Sequence, residues 1–185
     1  RCAYDPAMPA VPARPLHHIG YWADDLEEAA WRAHRDLGVG PFALAAHVSF
    51  TRFQLAGREP EAPVVFDHSA AFAAWGPIVL ELGQVHAIDD ELARLYGVRA
   101  GAVSHVSWLA ADLDAEQERL AASGCRFINS AETGPVSVVW ITGGELFDHP
   151  IELHRDSEFM RGMHGRLSDR SLGWQPSDGI FVPMA

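Results

Sequence analysis

Cysteine is scarce in this chain: Cys2 and Cys125 are the only two in 185 residues. One lies in a proline-spaced N-terminal stretch and the other follows an expected helix. That leaves no basis for a disulfide framework or a cysteine-built zinc site, and a reducing cytosol is the expected compartment. No apolar run approaches the ~20 residues that cross a bilayer, and no secretory signal is expected at the start, which is Arg1. Positive charge is also short, with 14 Lys plus Arg against 25 Asp plus Glu and a net charge of −11. A surface this acidic, without a basic stripe or helix, repels phosphate backbones, so nucleic acid is excluded as an expected partner. The 48% hydrophobic content argues against disorder, and the length suits one domain or two small fused halves. Histidine, by contrast, is plentiful, with ten residues.

The histidines become informative once an internal repeat is seen. PLHHIGYWADDLEEAAWRAHRDLG, from Pro15, aligns with AVSHVSWLAADLDAEQERLAASG, from Ala102. His18 meets His105, Ile19 meets Val106, Tyr21 meets Trp108, Asp25 meets Asp112 and Leu26 meets Leu113. Each copy reads as a short strand, an acidic turn and a helix ended by glycine. In the first helix Leu26, Ala29, Ala30, Ala33 and Leu37 share one face, Asp24 with Glu27 gives the capping signal, and Gly38 fits the left-handed end. In the second, Leu113, Glu116, Gln117 and Leu120 form a weaker stripe before Gly124. Both halves close on an apolar–Glu–Leu strand, IVLELGQ at 78–84 and PIELHR at 150–155, which carry Glu81 and Glu152.

Further strands are expected at 45–50 and 64–75 in the first half and at 125–129 and 135–142 in the second. Residues 89–96 read as a connecting helix and 157–167 as a C-terminal helix before a Gly/Pro-containing tail. The fold class is therefore α+β. The expected divisions are an extended arm at 1–13 (Pro6, Pro9, Pro12 and, just beyond, Pro15), a first module with its connecting helix at 14–100, a second module at 101–156, and a helix and tail at 157–185.

Alternation along strands assigns faces. His18, Gly20 and Trp22 point one way and Ile19 and Tyr21 the other; His105 and Ser107 oppose Val106 and Trp108. Glu81 and Glu152 each sit between two apolar residues and so point away from them. A single strand histidine is usually structural, and a single edge glutamate is usually solvated. Recurrence of both at equivalent places in two halves is what marks His18, Glu81, His105 and Glu152 as one site. Two neutral nitrogen donors and two carboxylates suit a divalent ion such as Zn, Ni, Co, Mn or Fe. Such an ion would take two neighbouring oxygens of a small-molecule substrate and favour loss of an adjacent proton.

The phrases HHIGYWADDLEEA, SHVSWLAADLDA and HPIELHR resemble the vicinal-oxygen-chelate superfamily (glyoxalase, bleomycin resistance, extradiol dioxygenase) over residues 14–156. The resemblance implies two tandem βαβββ modules forming a concave, half-open sheet around a metal, and a homodimer. It also implies that His18 and His105, on the opening strands, and Glu81 and Glu152, on the closing strands, are the ligands. A four-ligand set is similar to bacterial glyoxalase I and close to methylmalonyl-CoA epimerase, whereas extradiol dioxygenases use three ligands and Fe(II). Metal-assisted proton transfer beside a carbonyl is thus expected, with Glu152 as base and Glu81 opposite, or the reverse. The chain departs from glyoxalase I in having no matching arginine by His18. It departs from the epimerase in offering His47, and no glutamate, at 45–50. The rival readings are an Fe(II) dioxygenase using His18, His105 and Glu152, and a metal-free binding protein whose acidity would draw a cationic ligand.

Other residues carry plainer expectations. His17 is taken as structural. His154 shares Glu152's face and is expected at a rim, with orientation of a ligand as the alternative. Trp22, Phe72 and Trp75 suit either a pocket or the core. No role is assigned to His47, His68 or His86, and His149 suits a turn.

Overall fold

The computed structural model describes residues 12–59 and 62–184. Cys2, Pro6 and Pro9 of the expected arm lie outside them. Ten strands form one curved, unclosed sheet in the order β10-β2-β4-β5-β1-β6-β9-β8-β7-β3. The first half contributes β1 (His18–Trp22), α1 (Leu26–Leu37), β2 (Phe42–Ala45), β3 (Arg52–Leu55), β4 (Phe66–Trp75) and β5 (Ile78–Ile88). Helix α2 (Asp90–Tyr96) connects it to β6 (Val103–Ala110), α3 (Leu113–Ala121), β7 (Phe127–Thr133), β8 (Val136–Ile141) and β9 (Ile151–Arg155). Helices α4 (Glu158–Arg161) and α5 (Met163–Ser171), a short 3-10 turn and β10 (Phe181–Pro183) complete the chain.

The two repeats meet where β1 pairs antiparallel with β6, within this one chain. On either side the order is the same: β1-β5-β4-β2 and β6-β9-β8-β7, with β5 and β9 parallel to the opening strands. Each set gains an edge strand from elsewhere in sequence. The tail strand β10 pairs with β2, and β3, inserted in the first half, pairs with β7 of the second.

Helix α1 forms because its apolar stripe has a sheet to cover. Leu26, Ala30 and Ala33 are buried against Leu80, Leu82, Ala71 and Ala73. The cap falls one residue later than expected: Asp25, not Asp24, accepts from the Glu28 amide at 2.9 Å. Leu37 lies beyond the packed face and is exposed. Gly38 ends the helix at φ 70°, donating to the His34 carbonyl. Helix α3 covers the second half with Leu113 and Leu120, and its buried Glu116 is neutralised by Arg14 and Arg119 and accepts from Trp108 Nε1.

The strand expected at 45–50 lies earlier, as β2. The reason is His47, whose φ of 47° is left-handed and cannot continue a strand. The C-terminal helix is two, broken at Gly162, with Ser157 capping the first through the Met160 amide. Among the described residues no helix is long and apolar enough to cross a membrane.

Candidate metal centre

Strand register brings the four singled-out residues together at the seam between the halves. Glu81 pairs with Gly20, and Gly20 pairs with His105. In the adjoining row Glu152 pairs with Ser107, and Ser107 pairs with His18. Each row thus runs glutamate, small residue, histidine, with the histidine supplied by the opposite half. The small residue is required: a Cβ at Gly20 would lie 2.4 Å from Ser104 Oγ and 2.5 Å from the His105 ring.

The side chains converge on one point. His18 Nε2 lies 2.9 Å from His105 Nε2 and 2.8 Å from Glu152 Oε2. Glu81 Oε2 lies 3.4 Å from His18 Nε2 and 3.3 Å from His105 Nε2. His18 and His105 are 2% and 1% exposed, so both rings are buried. The sequence places the four at one site, and the structure gathers all of them.

The surrounding hydrogen bonds decide which nitrogens face inward. The Met160 carbonyl can only accept, so His17 donates to it from Nε2 (3.1 Å) and presents a lone pair at Nδ1. His18 must then donate from Nδ1 to His17 Nδ1 (2.8 Å), which leaves the His18 Nε2 lone pair aimed at Glu152 and His105. On the other ring Ser104 Oγ lies 2.9 Å from His105 Nδ1 and can accept its proton in the same way. A lone pair 2.8 Å from a carboxylate oxygen requires a cation between or beside them, which is the chemistry of a metal site. In the protein alone a proton on His105 meets that need. Burial pushes the His105 pKa down, but Glu152 and Glu81 overcome it and hold it at about 10. Burial keeps the His18 pKa below its ordinary value despite Glu152. Burial pushes both carboxyls up, yet His154 and His105 hold Glu152 well below the usual range and His105 holds Glu81 below it.

The two carboxylates are held differently. Glu152 Oε1 accepts from Trp140 Nε1 at 2.8 Å, and Oε2 lies 2.8 Å from His154 Nε2. Glu81 touches the two imidazoles and, among the described residues, has no such donor. His154 is therefore buried against Glu152 and not at the rim, and His17 is the support of His18's ring and not merely structural. Burial lowers the His17 pKa to about 4, which keeps that ring neutral.

The cluster opens into a cavity of about 310 Å³. Trp22 and Phe72 line it, whereas Trp75 packs in the first-half core. His68, Tyr96, Asn129 and Trp140 also line it, and sequence reading missed all four as site residues. For His68 alone a signal existed, since it lies two residues before Ala70 on the inward face of β4. His149 bonds the neighbouring Pro150 carbonyl, as suits a turn. His47, Asp67 and His86 form a second, largely exposed group, with His47 Nδ1 2.8 Å from Asp67.

The glyoxalase/bleomycin resistance protein/dioxygenase superfamily model matches residues 17–137, and the chain belongs to that superfamily. No curated protein matches the chain. Among solved structures, a hypothetical protein from Bacillus halodurans is similar at TM-score 0.53 and 14% identity, covering 80% of this chain and 97% of that one. Methylmalonyl-CoA epimerase from Mycobacterium tuberculosis follows at 0.51 and 19%, covering 84% and 97%. A variant of 4-hydroxymandelate synthase from Streptomyces coelicolor gives 0.53 and 16%, covering 77% of this chain and 38% of the synthase. At these identities the likeness is one of fold.

Proposed function

We propose that this protein is a metal-dependent lyase or isomerase that moves a proton at a carbon next to a carbonyl in a small chelating substrate. The observation that carries the reading is the convergence of two imidazole nitrogens and two carboxylates on one buried point, with the His18 lone pair fixed inward. His18, Glu81, His105 and Glu152 would hold the ion, whose identity among Zn, Ni, Co, Mn and Fe is left to experiment. Once bound, the ion supplies Lewis acidity that lowers the pKa of a C–H beside a coordinated carbonyl.

The chain's own groups divide the remaining work. Trp140 and His154 fix both oxygens of Glu152, so that carboxylate stays in place. Glu81 lacks those restraints and is the group free to take the proton from carbon; it then delivers it to the neighbouring carbon in a glyoxalase-type lyase, whereas in an isomerase a second carrier delivers a proton to the opposite face of the same carbon. This assigns the base to Glu81, the reverse of the order with Glu152 as base. The participation of Glu81 in the cluster favours this chemistry over a three-ligand oxygen-activating site. Superfamily membership and an epimerase of the same fold are in keeping with it.

Metal content of the purified protein and its variants is the test. About one equivalent is expected in the wild type and in Glu81→Gln, and none in His105→Ala or Glu152→Ala. With a chelating α-hydroxy ketone in deuterium oxide, Glu81→Gln should lose exchange of the α-proton by about 10³-fold or more. No metal uptake from any of the five ions would end this reading and leave a binding protein. Iron with oxygen consumption on a catechol would replace it with a dioxygenase.

A further inference from the structure

The cavity beside the ion cluster contains a polar group that the proposed chemistry leaves unused. Asn129 is 1% exposed and lines the cavity. Its Oδ1 accepts from the Tyr96 hydroxyl at 2.7 Å, while its Nδ2 has no hydrogen-bond partner among the described residues. A native fold rarely leaves a buried amide donor unpaired, and at a binding cavity the missing partner is the ligand.

Register gives the distance. Asn129 pairs with Trp140, and Trp140 pairs with Glu152. Two strand spacings, about 10 Å, therefore separate the backbone at Asn129 from that at the cluster. The surface between them is the Trp140 indole, whose Nε1 is anchored on Glu152 and whose ring lies 4.2 Å from that of Tyr96. Tyr96 is 1% exposed and stacks on Trp22, so the amide is carried by a rigid aromatic wall. Phe66 and His68, stacked at 4.2 Å, close the same end. Burial holds the His68 pKa at about 4, so the ring is neutral near pH 7. The arginines on the cavity wall, Arg166 and Arg170, both come from α5, and Arg166 lies over Phe159. Arg14, the basic residue near His18, is taken up by Glu116.

Resting on the metal-centred reading above, we infer that the substrate is a compact aromatic compound. Its vicinal oxygens sit at the ion cluster, its ring lies along Trp140, and a remote acceptor oxygen receives the Asn129 amide. Asn129 is then the residue that sets specificity.

Calorimetric titration of the zinc-loaded protein with pyruvate, benzoylformate and the 3- and 4-acetyl derivatives of benzoylformate tests this. Benzoylformate should bind at least about tenfold more tightly than pyruvate, and one acetyl isomer about tenfold more tightly again. Asn129→Leu should remove the acetyl increment and leave benzoylformate within about threefold of wild type. Asn129→Asp keeps an acceptor for the Tyr96 hydroxyl and should also remove the increment, which separates loss of the donor from loss of the wall. Pyruvate binding as tightly as benzoylformate, no acetyl increment, or an increment surviving in both variants would overturn the inference. Elemental analysis of the same samples separates the two readings. One equivalent of zinc without aromatic preference sinks this inference alone. An absence of zinc, with the preference and its dependence on Asn129 intact, sinks the metal reading alone.

Discussion

The two halves of this molecule place the same pair of residue types at the same seam, yet they treat them differently. In the second half Glu152 is held by Trp140 and His154 and its row is centred on Ser107; in the first half Glu81 touches the two imidazoles, has no matching outer donor among the described residues, and its row is centred on Gly20. The helices diverge in parallel. Helix α1 buries alanine and leucine, whereas α3 buries Glu116 and must neutralise it with Arg14 and Arg119. Symmetry of the backbone therefore does not make the two carboxylates equivalent. Under the proposed function, Glu152 would be the fixed ligand and Glu81 the carboxylate that moves a proton.

Making the first half like the second should have the largest effect. Gly20→Ser puts a Cβ against Ser104 and the His105 ring, and metal affinity measured by competition with a chelator should fall by about 100-fold or more. Next, Trp140→Phe removes one restraint on Glu152 while keeping a ring; a loss of about 10- to 100-fold in the same assay is expected. If affinity is unchanged, the asymmetry between the carboxylates has no thermodynamic content.

Smaller effects follow from the helices and walls. Glu116→Gln should destabilise the fold by about 1–2 kcal/mol in urea unfolding, a figure discounted because its arginine partners are partly exposed. Arg119, opposed by burial and aided by Arg14, holds the Glu116 pKa at about 2, so that contribution is present above about pH 4.5 and lost as pH falls towards 2. The variant and the wild type should therefore converge there. For His68, burial lowers the pKa from 6.5 to about 4, so the unfolded chain takes up a proton that the folded one refuses. Stability should decline from about pH 6.5 to 4, and His68→Phe should flatten that slope. Smallest of all, Ser107→Gly should change metal affinity by less than about threefold, because the Ser107 hydroxyl has no partner among the described residues.

The four cluster residues were legible because duplication writes the same local pattern twice, and period-two alternation then assigns them one face. Helix α1 was legible for the same local reason. The pairing of β3 with β7 was not, since a four-residue strand carries no mark of its partner, nor was β10, a three-residue strand in a tail. Nor could alternation foresee the left-handed His47 that ends β2 early. The supporting residues were hidden for a further reason: Trp140, Tyr96 and Asn129 act through contacts between elements far apart in sequence, and each alone reads as ordinary core.

The exchanged edge strands bear on how this chain can be divided. Because β3 leaves the first repeat to seal the second, and β10 returns from the far end to seal the first, severing the chain between repeats would strip the second unit of its outer strand and expose a row of unpaired amides. The smallest piece that can be excised, transplanted or unfolded independently is therefore the entire ten-stranded sheet.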